Sequence, residues 1–188
     1  HLPLQVPDDA LAQYKGKWSE VPYAGRSYQP HDHPKACYAA MISFIDRQVG
    51  RVMAQLEELG LDENTVVFFT SDNGTTHLKA QADYDFFDSF GPLRGAKGRL
   101  YEGGIRVPLV VHWPGRIQAG STSDLIAANY DMPATLAAIA GTSFDEDTDG
   151  ISFLPTLLGR VRDQAEHGFL FWDFAGYGGQ LAVRMGQW

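Results

Sequence analysis

The sequence predicts an α/β domain with a largely parallel sheet flanked by helices, followed by the start of a small antiparallel sheet. Three observations carry this prediction. A long amphipathic helical pattern leads into a β-branched, aromatic run at 65–70; a second apolar run at 107–113 follows a long loop; and two short strand-like segments near the C-terminus flank a glycine cluster. Helix, strand, loop, strand, helix is the order of a layered α/β fold. The terminal hairpin does not continue that order, so the expected division is 1–164 for the α/β domain and 165–188 for the beginning of an antiparallel subdomain.

Each element has a local reason. Residues 1–34 are rich in proline, glycine and aromatics and are expected to be irregular. From Tyr38 to Leu59, apolar residues recur at steps of three and four and give one apolar face. Pro34 suits a first helical turn, Asp32 is the expected N-cap, and Gly60 is the expected terminator. Thr65–Thr70 and Val107–Trp113 read as buried strands, the second ended by Pro114-Gly115. Between them, 71–106 is a loop dense in glycine and charge. A third short strand is expected at Leu125–Ala128, a helix at Tyr130–Ala140 stopped by Gly141, and a short helix at Ser152–Leu158. Gly168–Phe174 and Gln180–Met185 then form the hairpin.

Composition bounds the function classes. The 188 residues are 44% hydrophobic and 20% charged, which is ordinary for a globular chain. A formal net charge of -8 argues against a nucleic-acid surface, while leaving room for a small anion held by a few local cations. No apolar run is long enough to span a bilayer. The one cysteine, Cys37, permits no internal disulfide. The chain opens at His1 without an initiator methionine and closes at Trp188 within a strand pattern, so it reads as a fragment in which a missing signal segment carries no information.

Two stretches carry chemistry. Ser71-Asp72-Asn73-Gly74 sits just past the first strand, where open α/β sheets bind ligands. A carboxylate beside an amide oxygen offers two hard donors suited to Ca²⁺ or Mg²⁺; taken alone, the tetrapeptide favours an ordinary Asx turn. In the run from Gly91 to Pro108, Lys97 lies between Gly95 and Gly98, with Arg94 and Arg99 nearby. Small neighbours let the backbone approach a ligand, and the cations fit sulfate or phosphate oxygens. No Ser or Thr follows the lysine, so this is not a nucleotide P-loop. A solvated basic loop is the alternative.

Together with His1-Leu2-Pro3, Tyr38-Ala39-Ala40-Met41, Tyr101-Glu102-Gly103-Gly104, Arg106-Val107-Pro108, Asp149-Gly150-Ile151-Ser152 and Val183-Arg184-Met185-Gly186, these stretches resemble the formylglycine-dependent sulfatases, the arylsulfatase branch of the alkaline phosphatase superfamily. The resemblance implies part of an alkaline-phosphatase-like fold. It implies that Asp72 and Asn73 are ligands of one Ca²⁺, and that Lys97 contacts the sulfate and steadies charge on the leaving oxygen. His1 would hydrogen-bond the ester and help protonate the leaving group. The formylglycine nucleophile would lie outside this chain, because Cys37 is followed by Tyr38-Ala39-Ala40-Met41 rather than the family's x-Pro/Ala-x-Arg context. In the implied mechanism the cations neutralise the sulfate, the formylglycine diol attacks sulfur and the alcohol departs. The fragment alone is therefore expected to be inactive. A small-molecule or carbohydrate sulfate ester is the implied substrate, and a periplasmic, secreted or lysosomal setting the implied location.

The residues also admit two rival readings. A phosphodiesterase or phosphonate hydrolase of the same superfamily would carry two transition metals and histidine in place of Asn73, and an amide oxygen favours Ca²⁺ instead. A non-catalytic anion- or glycan-binding fragment is the other, with Trp172, Phe174 and Tyr177 able to stack on a sugar. Among the histidines, His77 is a further candidate for substrate binding, four residues past Asn73. His31 and His33 read as a solvated loop and His112 as structural. Glu102 and Arg106 are placed to pair and brace the Lys97 loop.

Overall fold

A computed structural model describes residues 3–25, 28–144 and 147–188. The chain divides into two compact units, one formed by 1–62 with 68–110 and the other by 63–67 with 111–188.

The first unit is organised by α2 (Pro34–Glu58), with the short α1 (Asp8–Ala12) packed on it. The N-terminal segment is thus not wholly irregular as expected: Pro7 sets up a single helical turn whose Ala10 is buried. At the other end of α2, Gly60 terminates as expected. Its φ of +65° lets Gly60 N–H bond the Glu57 carbonyl and Leu61 N–H the Leu56 carbonyl, at 2.9 Å each.

The N-terminus of α2 departs from expectation. Asp32 is not its cap. His33 occupies the N-cap position and its side chain makes no capping bond. Glu20 does the capping from 15 residues away: its Oε2 accepts the N–H groups of Lys35 at 2.7 Å and Ala36 at 3.2 Å. A carboxylate at this end satisfies free donors and complements the helix dipole at once. A local sequence window contains no sign of so distant a partner.

Burial within α2 also differs from the pattern. Ala36, Cys37, Ala39 and Ala40 are buried, whereas Ile42, Ile45 and Val52 are 52%, 57% and 57% exposed. The packing against α1 and α3 (Lys79–Ala82) uses the small-residue end of the helix and leaves its larger apolar stripe open. The strands show the same discrepancy. β1 (Val67–Thr70) and β2 (Leu109–His112) form a sheet of two strands, and Phe69, Leu109 and Val110 are exposed rather than buried. A sheet this narrow has too few neighbours to cover both faces.

In the second unit, a 3₁₀ turn at Asn129–Asp131 runs into α5 (Met132–Ile139), and α6 (Leu154–Leu157) packs nearby. Leu125–Ala128 is not the expected strand. Its end is tied locally, the Ala128 N–H donating to Asp131 Oδ2 at 2.7 Å. Asp131, 1% exposed, is the hub of this unit. Its carboxylate also accepts from Ile151 N–H at 2.8 Å and contacts His167 Nε2 at 2.9 Å, while Thr135 Oγ1 links the Asp131 carbonyl to Phe153 N–H. The hairpin of β3 (Leu170–Phe174) and β4 (Gln180–Arg184) is antiparallel, as expected, with Phe171 opposite Val183 and Trp172 opposite Ala182. Leu170 is buried, whereas Phe171, Leu181 and Val183 are exposed.

Two predictions come from this packing. Replacing Asp131 with Ala strands three buried or half-buried donors and should destabilise the chain by about 3–5 kcal/mol, read as a lowered urea midpoint in the circular dichroism of α5 and α6. Cys37 is fully buried, and that burial, followed by the negative charge of Glu20, pushes its thiol up to about 11. In native protein it should therefore resist a disulfide reagent near pH ~8 and react only on unfolding.

Candidate functional site

β1 ends at Thr70 and delivers Ser71-Asp72-Asn73-Gly74 at the strand's carboxyl end. In an Asx turn an Asp72 or Asn73 side-chain oxygen would accept a nearby backbone N–H. That is not the arrangement here. Ser71 Oγ donates to the Asn73 carbonyl at 2.9 Å, and Asn73 Nδ2 donates to the Gly74 carbonyl at 3.0 Å. The Asn73 side-chain oxygen and the exposed Asp72 carboxylate have no hydrogen-bond partner among the described residues. The turn is thus held by side-chain donors, and both oxygen donors remain available.

The Lys97 loop is brought alongside by backbone contacts that require glycine. Gly74 N–H donates to the Gly104 carbonyl at 2.9 Å, and Lys97 N–H donates to the Thr75 carbonyl at 2.7 Å. A Cβ at Gly74 would lie 2.0 Å from the Gly103 carbonyl oxygen; one at Gly103 would lie 2.3 Å from that of Gly95, and one at Gly104 2.1 Å from that of Arg99. No side chain fits in these three places. Gly103 and Gly104 belong to α4 (Glu102–Ile105), a single turn whose Glu102 pairs with Arg106 at 3.6 Å, as the spacing suggested. The pair is exposed and holds the turn only loosely.

The cations of this loop have distinct surroundings. The Arg94 guanidinium lies 4.0 Å over the ring of Tyr101, a cation–π contact that fixes the loop while keeping its charge. Arg99 is exposed. Lys97 is half-buried, and its ammonium makes no ion pair or hydrogen bond with the described residues. An unpaired lysine on a glycine-walled loop, beside two unpaired oxygen donors, is the chemical content of the site.

Other sequence candidates fall elsewhere. His77 is exposed, and its carbonyl accepts the Lys79 N–H at 3.2 Å. His1 lies outside the described residues. His31 and His33 are not a solvated loop: they belong to the cluster that closes the N-terminus of α2, with His33 Nδ1 3.2 Å from Glu20 Oε1. His112 is exposed on β2. In the hairpin turn, Phe174 and Tyr177 lie 6.1 Å apart, with Tyr177 at φ +53°. No group of three or more His, Cys, Asp or Glu able to hold a metal occurs among the described residues. Sequence reasoning missed the Thr75 carbonyl, and it took Gly103-Gly104 only as part of the resemblance, not as the contact that joins the two loops. The signal for that contact is the adjacent glycines inside the Glu102–Ile105 stretch.

Gly74→Ala should cost about 1–3 kcal/mol through enforced overlap with Gly103. Gly50→Ala, in α2 with no atom within 4 Å of the new Cβ, should instead stabilise by about 0.5–1 kcal/mol. Paired urea denaturation of the two variants checks both signs.

Comparison with known proteins gives these residues a family setting. The sulfatase family model matches residues 1–142. Rat steryl-sulfatase is 40% identical over 138 residues, covering 71% of this chain and 24% of that protein. Human arylsulfatase A is 37% identical over 146 residues, covering 77% of this chain and 28% of its own length. The crystal structure of Ps i-CgsB superposes with a TM-score of 0.74 at 28% identity, over 100% of this chain and 38% of that one. The chain thus spans about a quarter of the length of the curated relatives it matches. Its mixed helix-and-strand architecture is a portion of the sulfatase fold, which is alkaline-phosphatase-like. With its Asp-Asn-Gly turn, its glycine-flanked lysine and a family match over more than half its residues, the chain belongs to the sulfatase family.

Proposed function

We propose that this chain supplies one wall of the active site of a sulfuric ester hydrolase, with Asp72 and Asn73 as two ligands of a Ca²⁺ and Lys97 as the sulfate-binding cation. The observation that carries the reading is the pair of backbone bonds, Gly74 to Gly104 and Thr75 to Lys97, that set the two motifs side by side. The residues fit a hard cation in kind. Two oxygen donors stand unpaired at a strand end, with no histidine or thiolate between them to favour a softer metal. They fit it only in part, since Ca²⁺ takes about 6–8 oxygens and the described residues offer no cluster of three acidic or imidazole ligands. The remaining ligands, and the formylglycine, are assigned to other segments of the domain.

The chain's own residues would then act as follows. The Lys97 ammonium pairs with a sulfate oxygen and holds negative charge as the ester oxygen departs, which lowers the barrier most where water is excluded. Asp72 and Asn73 orient a cation, whose chemistry when bound is to withdraw charge from sulfate. Gly95 and Gly98 keep the walls beside Lys97 small enough for an anion to approach. His1 is assigned the ester oxygen, and His77 a place at the rim of the same loop.

The substrate class is a small-molecule or carbohydrate sulfate ester. Support comes from relatives named for N-acetylgalactosamine-6-sulfate and steryl sulfate, and from a structural neighbour solved with D-glucosamine-2-N,6-O-disulfate. No helix among the described residues is long and apolar enough to cross a membrane. A periplasmic, secreted or lysosomal location is the setting proposed with this activity.

In a complete catalytic domain carrying this segment, Lys97→Ala should lower kcat by about 10²–10³-fold with an unchanged circular dichroism spectrum. Asp72→Ala should abolish the response to added Ca²⁺. An undiminished kcat in the lysine variant would sink the assignment. The 188-residue chain by itself should turn over no nitrophenyl sulfate.

A further inference from the structure

Away from the Lys97 loop, the first turn of α2 gathers a set of titratable contacts. Tyr23 and His31 form an antiparallel bridge, with N–H to carbonyl distances of 2.8 and 2.9 Å in the two directions. His31 Nδ1 accepts the His33 N–H at 3.0 Å. This geometry requires Nδ1 to be unprotonated, so the ring's proton sits on Nε2. One residue pair further on, His33 Nδ1 faces Glu20, and Glu20 caps Lys35 and Ala36. Lys35 Nζ in turn reaches Asp83 Oδ2 at 3.0 Å and the Ser19 carbonyl at 3.3 Å, and lies 4.2 Å over the Phe86 ring.

A proton on His31 Nδ1 removes the acceptor of the His33 N–H and sets two donors face to face. We infer that the His31–His33 contact is an acid-sensitive latch on the N-terminus of α2, released when His31 gains a proton at Nδ1.

The charged groups facing His31 are Asp32 and His33 on its own segment and Glu20 across from it; Lys35 and Asp83 pair with each other one turn beyond. Burial, then the neighbouring His33, hold the His31 imidazole below its usual 6.5, against the opposing pull of Asp32 and Glu20. The latch is therefore complete above that value. It begins to weaken as pH falls through 6.5, and is fully lost below the lowered folded-state value.

The test is nuclear magnetic resonance of the labelled 188-residue chain at about pH 7.5 and about pH 5, with amide exchange expressed as protection factors. Nitrogen shifts should show His31 as the Nε2–H tautomer at the higher pH. Protection of the His33 amide should fall about five- to tenfold on acidification, with a midpoint below 6.5. His31→Asn keeps a side-chain acceptor near the Nδ1 position but does not titrate, and should show no such fall. A His31 ring protonated on Nδ1 at the higher pH, unchanged protection in the wild type, or an equal fall in His31→Asn would each overturn the latch. Should His31→Asn fail to fold, the wild-type tautomer and titration decide it alone.

Discussion

The contact on which the site depends is the close passage of Gly74 against the Gly103–Gly104 peptides. Backbone N–H and carbonyl groups must find partners when water is excluded, and here each loop's unpaired groups are satisfied by the other loop. With 2.0–2.3 Å between an imagined Cβ and the facing carbonyls, the fit tolerates glycine alone. Hydrogen bonds of this kind are worth only about 1 kcal/mol each, so their contribution is mainly geometric. They set where Lys97 stands relative to Asp72 and Asn73, and neither α4, with four residues, nor the exposed Glu102–Arg106 pair could do so unaided.

How much of this was legible in the sequence depends on the range of the interactions concerned. The helix ends at Gly60 and Gly141, the hairpin and the strand before Ser71 were readable because each is decided by neighbours within a few residues. The Glu20 cap was not, because its donors lie 15 and 16 residues away; a local rule selected Asp32 instead. Leu125–Ala128 has strand composition but lacks a ladder, and Asp131 draws its end into a 3₁₀ turn. The chemistry of the site was legible as residue types, whereas the glycine contacts that join its halves are tertiary and needed coordinates.

Burial was the least legible property, for a different reason. The spacing of Ile42, Ile45, Val49, Val52, Leu56 and Leu59 is that of a covered helix face, yet four of these residues are more than half exposed. Two strands and single-turn helices offer too little surface to cover a 25-residue helix. The relatives that match this chain are roughly three times longer, so the periodicity is in keeping with a larger core than these residues enclose. An apolar stripe of this kind is an exception among monomeric soluble proteins.

Charge makes the same distinction between whole and part. With a net charge of -8, the chain as a whole repels a sulfate ester. Between Arg94 and Arg106, however, four basic side chains stand with Glu102 as the single acid. Arg94 is turned onto Tyr101 and Arg106 onto Glu102; among the described residues that leaves Lys97 and the exposed Arg99 without a side-chain partner, and of the two Lys97 is the half-buried one. Coulomb attraction grows as the separation shrinks and as water is excluded, so one such cation within contact range outweighs a diffuse negative surface screened beyond about 10 Å. A binding anion need break no ion pair at Lys97. The surrounding arginines keep the local field positive, and Arg94, stacked on Tyr101, helps to hold the loop in shape.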